Sequence, residues 1–186
     1  LWVTVPSARL ALPGLAAPSV GFEAPFEMLN ACHERLLRTL GLLERLQAHV
    51  RTQGADWQAR QAATDVLRYF DLAAPLHHED EELHVFPVLL AQAPVELQTL
   101  VRRLQREHVL MAQEWQAARQ PLQDLSEGRL ERFGAEHEAL FAAFAARQVR
   151  HLHDEEQMAY PYAQAALAPQ QQAQMGAEMA QRRGAR

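Results

Sequence analysis

Two stretches of this chain carry the same chemistry. His77-His-Glu-Asp-Glu81-Glu82-Leu-His-Val-Phe-Pro87 and His151-Leu-His-Asp-Glu155-Glu156-Gln-Met-Ala-Tyr-Pro161 both read His-x3-Glu-Glu-x3-aromatic-Pro. His33 precedes His77 by 44 residues, and His108 precedes His151 by 43. Each half therefore supplies one lone histidine and one His-x3-Glu pair, an internal repeat. Residues four apart share a helix face, so each Glu stands one turn beyond its His. Neutral imidazole with carboxylate is a donor set for Fe, Mn, Zn or Ni. Buried without partners, such groups cost several kcal/mol each, and shared cations would offset that cost. The candidate metal ligands are His33, His77, Glu81, His108, His151 and Glu155. Two pseudo-equivalent halves point to two metals, each taking ligands from both halves.

The elements that must position these groups are helices. From Pro25 onward, apolar residues recur at steps of three and four, the signature of one helix face. No segment sustains period-two alternation, so no sheet is expected. The first helix is predicted from about Pro25 to Thr52, with Phe26, Leu29, His33, Leu36, Leu40, Leu43, Leu46 and Val50 inward. Gly54 ends it and Asp56 caps the next. The second runs from about Trp57 to Gln92, with Ala63, Val66, Phe70, Ala73, His77 and Glu81 inward and a kink or tightened turn at Pro75. The third starts at Pro94–Val95. Its row is Leu97, Val101, Leu104, His108, Met111, Trp115, Ala118, Leu122 and Leu125, passing through Pro121. Ser126–Gly128 makes a turn, and the fourth helix follows with Leu130, Phe133, His137, Leu140, Phe144, Gln148, His151, Glu155 and Met158. The expected fold is all-α: an antiparallel up-down-up-down four-helix bundle with an extended N-terminal arm and short C-terminal helices. Its divisions are the arm (1–24), the bundle (25–165) and a helical tail (166–186).

Antiparallel helices place residues equally far from a turn at equal height. His33 and His77 lie 21 and 23 residues from Gly54, and His108 and His151 lie 20 and 23 from Gly128. A mismatch of three residues is about 5 Å at the helical rise, within reach of side chains. Four helices thus bring a histidine inward at one level of one core. A single inward histidine is ordinarily a hydrogen-bonded core residue; four at one level call for a cation.

Composition removes other chemistries. All 18 basic residues are Arg, which excludes a phosphate-loop lysine, a Schiff base and a Ser-Lys pair. A net charge of −5 argues against nucleic acid as a partner. The lone Cys32 excludes disulfides and CxxC redox chemistry. No stretch approaches ~20 apolar residues, so no membrane span is expected. The Pro-punctuated segment 1–21 lacks the continuous apolar run of a signal peptide. Cytoplasmic placement is the default expectation. The apolar arm is expected to pack on its own domain or on a second copy, giving a homodimer through the arm.

His33, His77-x3-Glu81 with Phe86-Pro87, His108, and His151-x3-Glu155 with Tyr160-Pro161 resemble the hemerythrin-like, or HHE cation-binding, domain family over about 25–165. Glu27-Met-Leu-Asn-Ala-Cys-His33 and the tail Gly176-Ala-Glu-Met-Ala-Gln-Arg-Arg-Gly184 look like its bacterial branch. The resemblance implies a non-haem di-iron centre: two Fe ions with bridging carboxylates and an oxo or hydroxo bridge, with Zn, Mn or Ni as substitutes. One departure stands out. Oxygen-carrying hemerythrins have His-x3-His on the third helix and His-x4-Asp on the fourth. Ala112 stands where that second histidine would be, and Glu156, which could imitate the Asp, is disfavoured by the repeat relative to Glu155. Four imidazoles and two bridging carboxylates fill about eight of about twelve positions and an oxo bridge two more. About two stay open for O2, NO, peroxide or water. The branch with this ligand count is linked to iron-centre repair and nitric oxide stress.

The functional expectation is a gas- or metal-binding protein for sensing, storage or iron-centre repair. The alternatives are a di-iron oxidase, peroxidase or NO-reducing enzyme, and a zinc-stabilised structural bundle. A ferritin-like enzyme ranks last, because Glu81-x-x-His84 is the one such spacing found. Outside the ligand set, His78 and Glu82 are expected to flank the row, His153 to be peripheral and His49 to lie at the surface. His84 and His137 are expected to be satisfied core residues, with a role behind the ligands or in gating as the alternative. Cys32 is read as a small core residue first and as a ligand second. Tyr69, Tyr160 and Trp115 are read first as aromatic packing, with a hydrogen-bonding role behind the ligands as the alternative.

Overall fold

The computed structural model describes residues 21–185. Every regular element among them is helical, and the chain is an all-α bundle. Residues 1–20 of the expected arm (1–24), and a dimer built through it, lie outside the described residues; residues 21–24 form a turn.

Helix α1 is Pro25–Gln53, opened by a proline that spares an orphan N–H and closed at Gly54. Gly54 has φ 79°, a region that side-chain-bearing residues avoid. Asp56 caps α2 (Trp57–Arg68), its carboxylate accepting from Ala59 N–H at 2.8 Å. The second rod then continues as α3 (Ala74–Asp80) and α4 (Phe86–Gln92), joined by π-helical turns at Tyr69–Ala73 and Glu81–Val85. Helix α5 is Val95–Ser126 and runs on through Pro121. Helix α6 is Ala135–Asp154, followed by a third π-turn at Glu155–Ala159 and by α7 (Tyr160–Ala166) and α8 (Pro169–Arg182). The long rods close a ring: α1 lies on α2 and α6, α2 on α5, and α5 on α6.

The core is split. One apolar cluster, around Leu36, Leu43, Phe70, Trp115, Leu122 and Phe144, fills the bundle on one side of the histidine level. A second, around Phe26, Leu29, Val85, Phe86, Leu104, Tyr160 and Met179, fills the other. Each fully buried Leu or Phe contributes about 1.5–3 kcal/mol, and the buried polar layer lies between these two reservoirs. Helix α8 seals the second cluster. Arg182 and Arg183 both hold the buried Asp80 carboxylate, at 2.6 and 2.5 Å. Gly176 packs so closely on the Phe22 carbonyl that no Cβ fits there.

The fourth rod departs from expectation in three places. It begins at Ala135 rather than near Leu130, after a loop over 127–134, so His137 is not a core residue. It sits in the first turn, where its Nδ1 accepts from Gly134 N–H at 3.2 Å. Leu140 is exposed because Phe141, one step on, takes the inward face beside Phe144. Met158 is exposed and Ala159 buried, because the π-turn inserts a residue into the helical row after Glu155. The same insertion after Glu81 buries Val85 and leaves His84 half-buried beside α8, where Arg182 Nη2 lies 2.8 Å from its Nε2. His84 is therefore remote from the ligand level.

Candidate metal centre

Three prolines shape the site. Pro75, Pro87 and Pro161 each follow a π-turn by two residues. A helical proline has no N–H to give and crowds the carbonyl four residues back. A wider turn relieves that crowding. Phe86 N–H reaches Glu81 O, and Tyr160 N–H reaches Glu155 O, each five residues back. The two π-turns therefore open on the two glutamates. In the motif, the terminal proline is the physical cause of the local widening that begins at the carboxylate.

All six candidate side chains converge, and all are buried. Donor atoms of His33, His77, Glu81 and Glu155 lie within 4.8 Å of one another, as do those of Glu81, His108, His151 and Glu155. The two groups share both carboxylates and divide the four imidazoles by half of the chain. Each carboxylate turns one oxygen to each histidine pair. Glu81 Oε1 is 3.4 Å from His77 Nε2 while its Oε2 is 3.5 Å from His108 Nε2. Glu155 Oε2 is 3.3 Å from His33 Nε2 while its Oε1 is 2.9 Å from His151 Nε2.

The imidazoles are aimed from behind. His33 Nδ1 donates to Glu156 and His108 Nδ1 to Glu82, both at 2.9 Å. His151 Nδ1 donates to Glu107, also at 2.9 Å. Each bond fixes the ring and leaves Nε2 facing inward. As a result His108 Nε2 and His151 Nε2 face each other at 3.0 Å. Two inward nitrogens at that distance need a proton or a metal ion between them.

The electrostatics carry the same demand. Burial opposes charge on His33, but the neighbouring carboxylates of Glu155 and Glu81 overcome it and raise its pKa to about 10. His151 is likewise raised to about 10 against burial by Glu155 and Glu107, and His108 to about 9 by Glu81 and Glu82. His77 goes the other way: burial depresses it to about 4. Burial also opposes charge on Glu81, yet the surrounding histidines hold its carboxyl well below the usual range.

Several buried polar atoms at this level have no hydrogen-bond partner: both nitrogens of His77, Glu81 Oε2 and both oxygens of Glu155. Orphans of this kind cost about 1–3 kcal/mol each. They cluster where two cations would satisfy them together, and the donor set of imidazole and carboxylate suits first-row transition metals. The residues fit a pair of metal ions.

A family profile described as the Hemerythrin HHE cation binding domain matches residues 24–163. The chain belongs to that family. An uncharacterized protein of Haemophilus influenzae is 37% identical over 101 residues, covering 54% of this chain. The chain spans 58% of the length of that relative.

In this HHE domain the residues around the cluster do more than sequence reasoning assigned. Glu82 and Glu156, the second glutamates of the repeat, cross between halves, each aiming the histidine of the other half's first helix. Their place in the repeat was the available signal. Glu107 had none beyond its position next to His108. His78 stacks on His108, with ring centroids 4.1 Å apart. It also lines a cavity of about 190 Å³ together with Phe70, Met111, Ala112, Trp115 and Gln148. Ala112, the position that lacks the extra histidine, thus borders open space. Gln148 Oε1 is buried there without a partner. His49 pairs with Asp56 at 3.0 Å, and His153 is exposed; both lie off the cluster. Cys32 is a buried free thiol whose pKa burial pushes up, as expected of a core residue.

Proposed function

We propose that His33, His77, Glu81, Glu155, His108 and His151 hold two iron ions, and that the protein binds a small diatomic ligand, O2 or NO, at that centre. The observation that carries this reading is the sharing of both carboxylates between two histidine pairs. It supports a dinuclear site with Glu81 and Glu155 as bridges, one histidine pair to each ion. The pair of irons would supply Lewis acidity and reversible electron exchange with the ligand.

The protein's own residues do the rest. Glu82, Glu107 and Glu156 hold imidazoles in the ligating tautomer, and the two apolar clusters exclude bulk water from both sides of the layer. The cavity beside His78, Met111 and Gln148 gives a small molecule a way towards the His108–His151 side: Met111 and Gln148 stand about one turn from those histidines on their helices. Histidine-rich ligation favours binding over harsh oxygen activation, which supports sensing, storage or iron-centre repair above turnover.

The test is the visible absorption of anaerobically iron-loaded protein before and after exposure to air and to NO. A reversible change is expected with each gas. Irreversible change with peroxide consumption would assign an enzyme instead. Exclusion of iron with tight retention of zinc and no spectral response would assign a structural site.

A further inference from the structure

Phe86 and Tyr160 hold the same place in the two copies of the repeat. Each precedes the motif proline and closes a π-turn with its own N–H. Each lays its ring on the first-helix histidine of the other half. Tyr160 stacks on His33 at 5.2 Å and 21°, and Phe86 on His108 at 5.4 Å and 26°. The scaffold is thus the same on both sides, and the difference is one hydroxyl.

That hydroxyl points into the cluster. Tyr160 is buried, and its Oη lies 2.9 Å from His33 Nε2 and donates to Glu81 Oε1. The carboxylates of Glu82, Glu107 and Glu156 touch the outer nitrogens, Nδ1. Tyr160 instead touches the inner nitrogen and a bridging oxygen. It stands among the donor atoms, not behind them.

We infer that Tyr160 Oη is a seventh donor, binding the cation between His33 and His77 as a phenolate, so that the two subsites are chemically unequal. This rests on the dinuclear reading above. As the oxygen–metal bond forms, the phenol O–H bond breaks and its proton leaves to solvent, as ligand protons do on metal uptake. The phenolate occupies one of the about two positions left open by six ligands and an oxo bridge. The remaining opening then belongs to the His108–His151 subsite, the side bordered by the cavity. The repeat gives that side Phe86, which has no donor to offer.

The experiment is iron loading in air, with iron per chain, visible absorption and resonance Raman spectra measured together. The wild-type chain is expected to take up two irons and show a phenolate-to-iron(III) charge-transfer band with tyrosinate ring modes. Tyr160→Phe removes both signatures while at least one iron is retained; Phe86 shows that the fold accepts phenylalanine at this position. Tyr69→Phe and Tyr162→Phe leave the band in place. Two irons in the wild type without the band would overturn this proposal and leave the dinuclear reading standing, as would a band that survives Tyr160→Phe. A wild-type chain that takes up no iron would sink both. The wild-type spectrum alone decides the matter should Tyr160→Phe fail to fold.

Discussion

In the second half both histidines have a carboxylate behind them, Glu82 on His108 and Glu107 on His151. In the first half only His33 does, through Glu156, and both nitrogens of His77 are left without partners. The reason is visible in the repeat. The residue before His108 is Glu107; the residue before His33 is Cys32, which cannot accept a strong hydrogen bond from an imidazole. The first half receives the Tyr160 hydroxyl instead. Equal ligands from a duplicated pattern therefore sit in unequal surroundings, one side with two carboxylates behind its imidazoles and the other with one carboxylate and a phenol.

The strongest way to break this comparison is to remove what the halves share. Glu155→Ala or Glu81→Ala is expected to drop metal content from two ions per chain to less than one, measured by plasma mass spectrometry. His33→Ala and His108→Ala each remove one ion. Retention of two ions by both His108→Ala and His151→Ala would show that the second histidine pair is wrongly assigned.

The residues behind the ligands come next. Glu82→Gln and Glu107→Gln are each expected to weaken one of the two ions by about 10–100-fold, the usual effect of losing such a partner. Cys32→Ala, at the position equivalent to Glu107, should change neither. A chelator competition titration resolves the two affinities, and a fall with Cys32→Ala as large as that with Glu107→Gln would erase the asymmetry.

Acid and alkali should separate the halves of the metal-free chain. His33, His108 and His151 have folded-state pKa values of about 10, 9 and 10, above the ~6.5 of an unfolded histidine. Their stabilisation is complete below pH ~6.5 and is lost as pH rises through 9–10. His77, depressed to about 4, gives stabilisation that is complete above pH ~6.5 and lost as pH falls towards 4. Thermal melts of the metal-free protein should fall by several degrees on the alkaline side. The iron-loaded protein should not show that alkaline fall, since ligating imidazoles have already lost their inner protons. A flat profile without metal would mean that the buried carboxylates do not govern these histidines.

The smallest effect is expected at the cavity. Ala112→Leu narrows the opening beside the second pair, and should slow NO binding by a few-fold in stopped-flow measurements while leaving metal content unchanged. Equal slowing by a substitution at the separate cavity between α1 and α6, such as Leu37→Trp, would remove the preference for one face.

Much of this was legible without coordinates. The heptad-like rows of α1 and α5 gave their buried residues in order, because a long helix with one apolar face has one way to turn. The six converging residues followed from a repeat and from equal distances to the turns. The fourth rod was legible only in part. Leu140 and Phe141 both suit an inward row, and ring size in a packed core chose the second. Met158 and His84 were placed inward on a uniform helical period, which the π-turns break by one residue.

The residue pattern on its own determined a helical bundle and a layer of four imidazoles and two carboxylates, since period and spacing are properties of the chain. Only packing in three dimensions decided that each glutamate faces both histidine pairs and that Glu82 and Glu156 cross to the opposite half. It also decided that one phenol reaches the cluster. Those are contacts between residues about 26 to 127 positions apart, and their partners are chosen by how the rods rotate against one another, which no local spacing encodes.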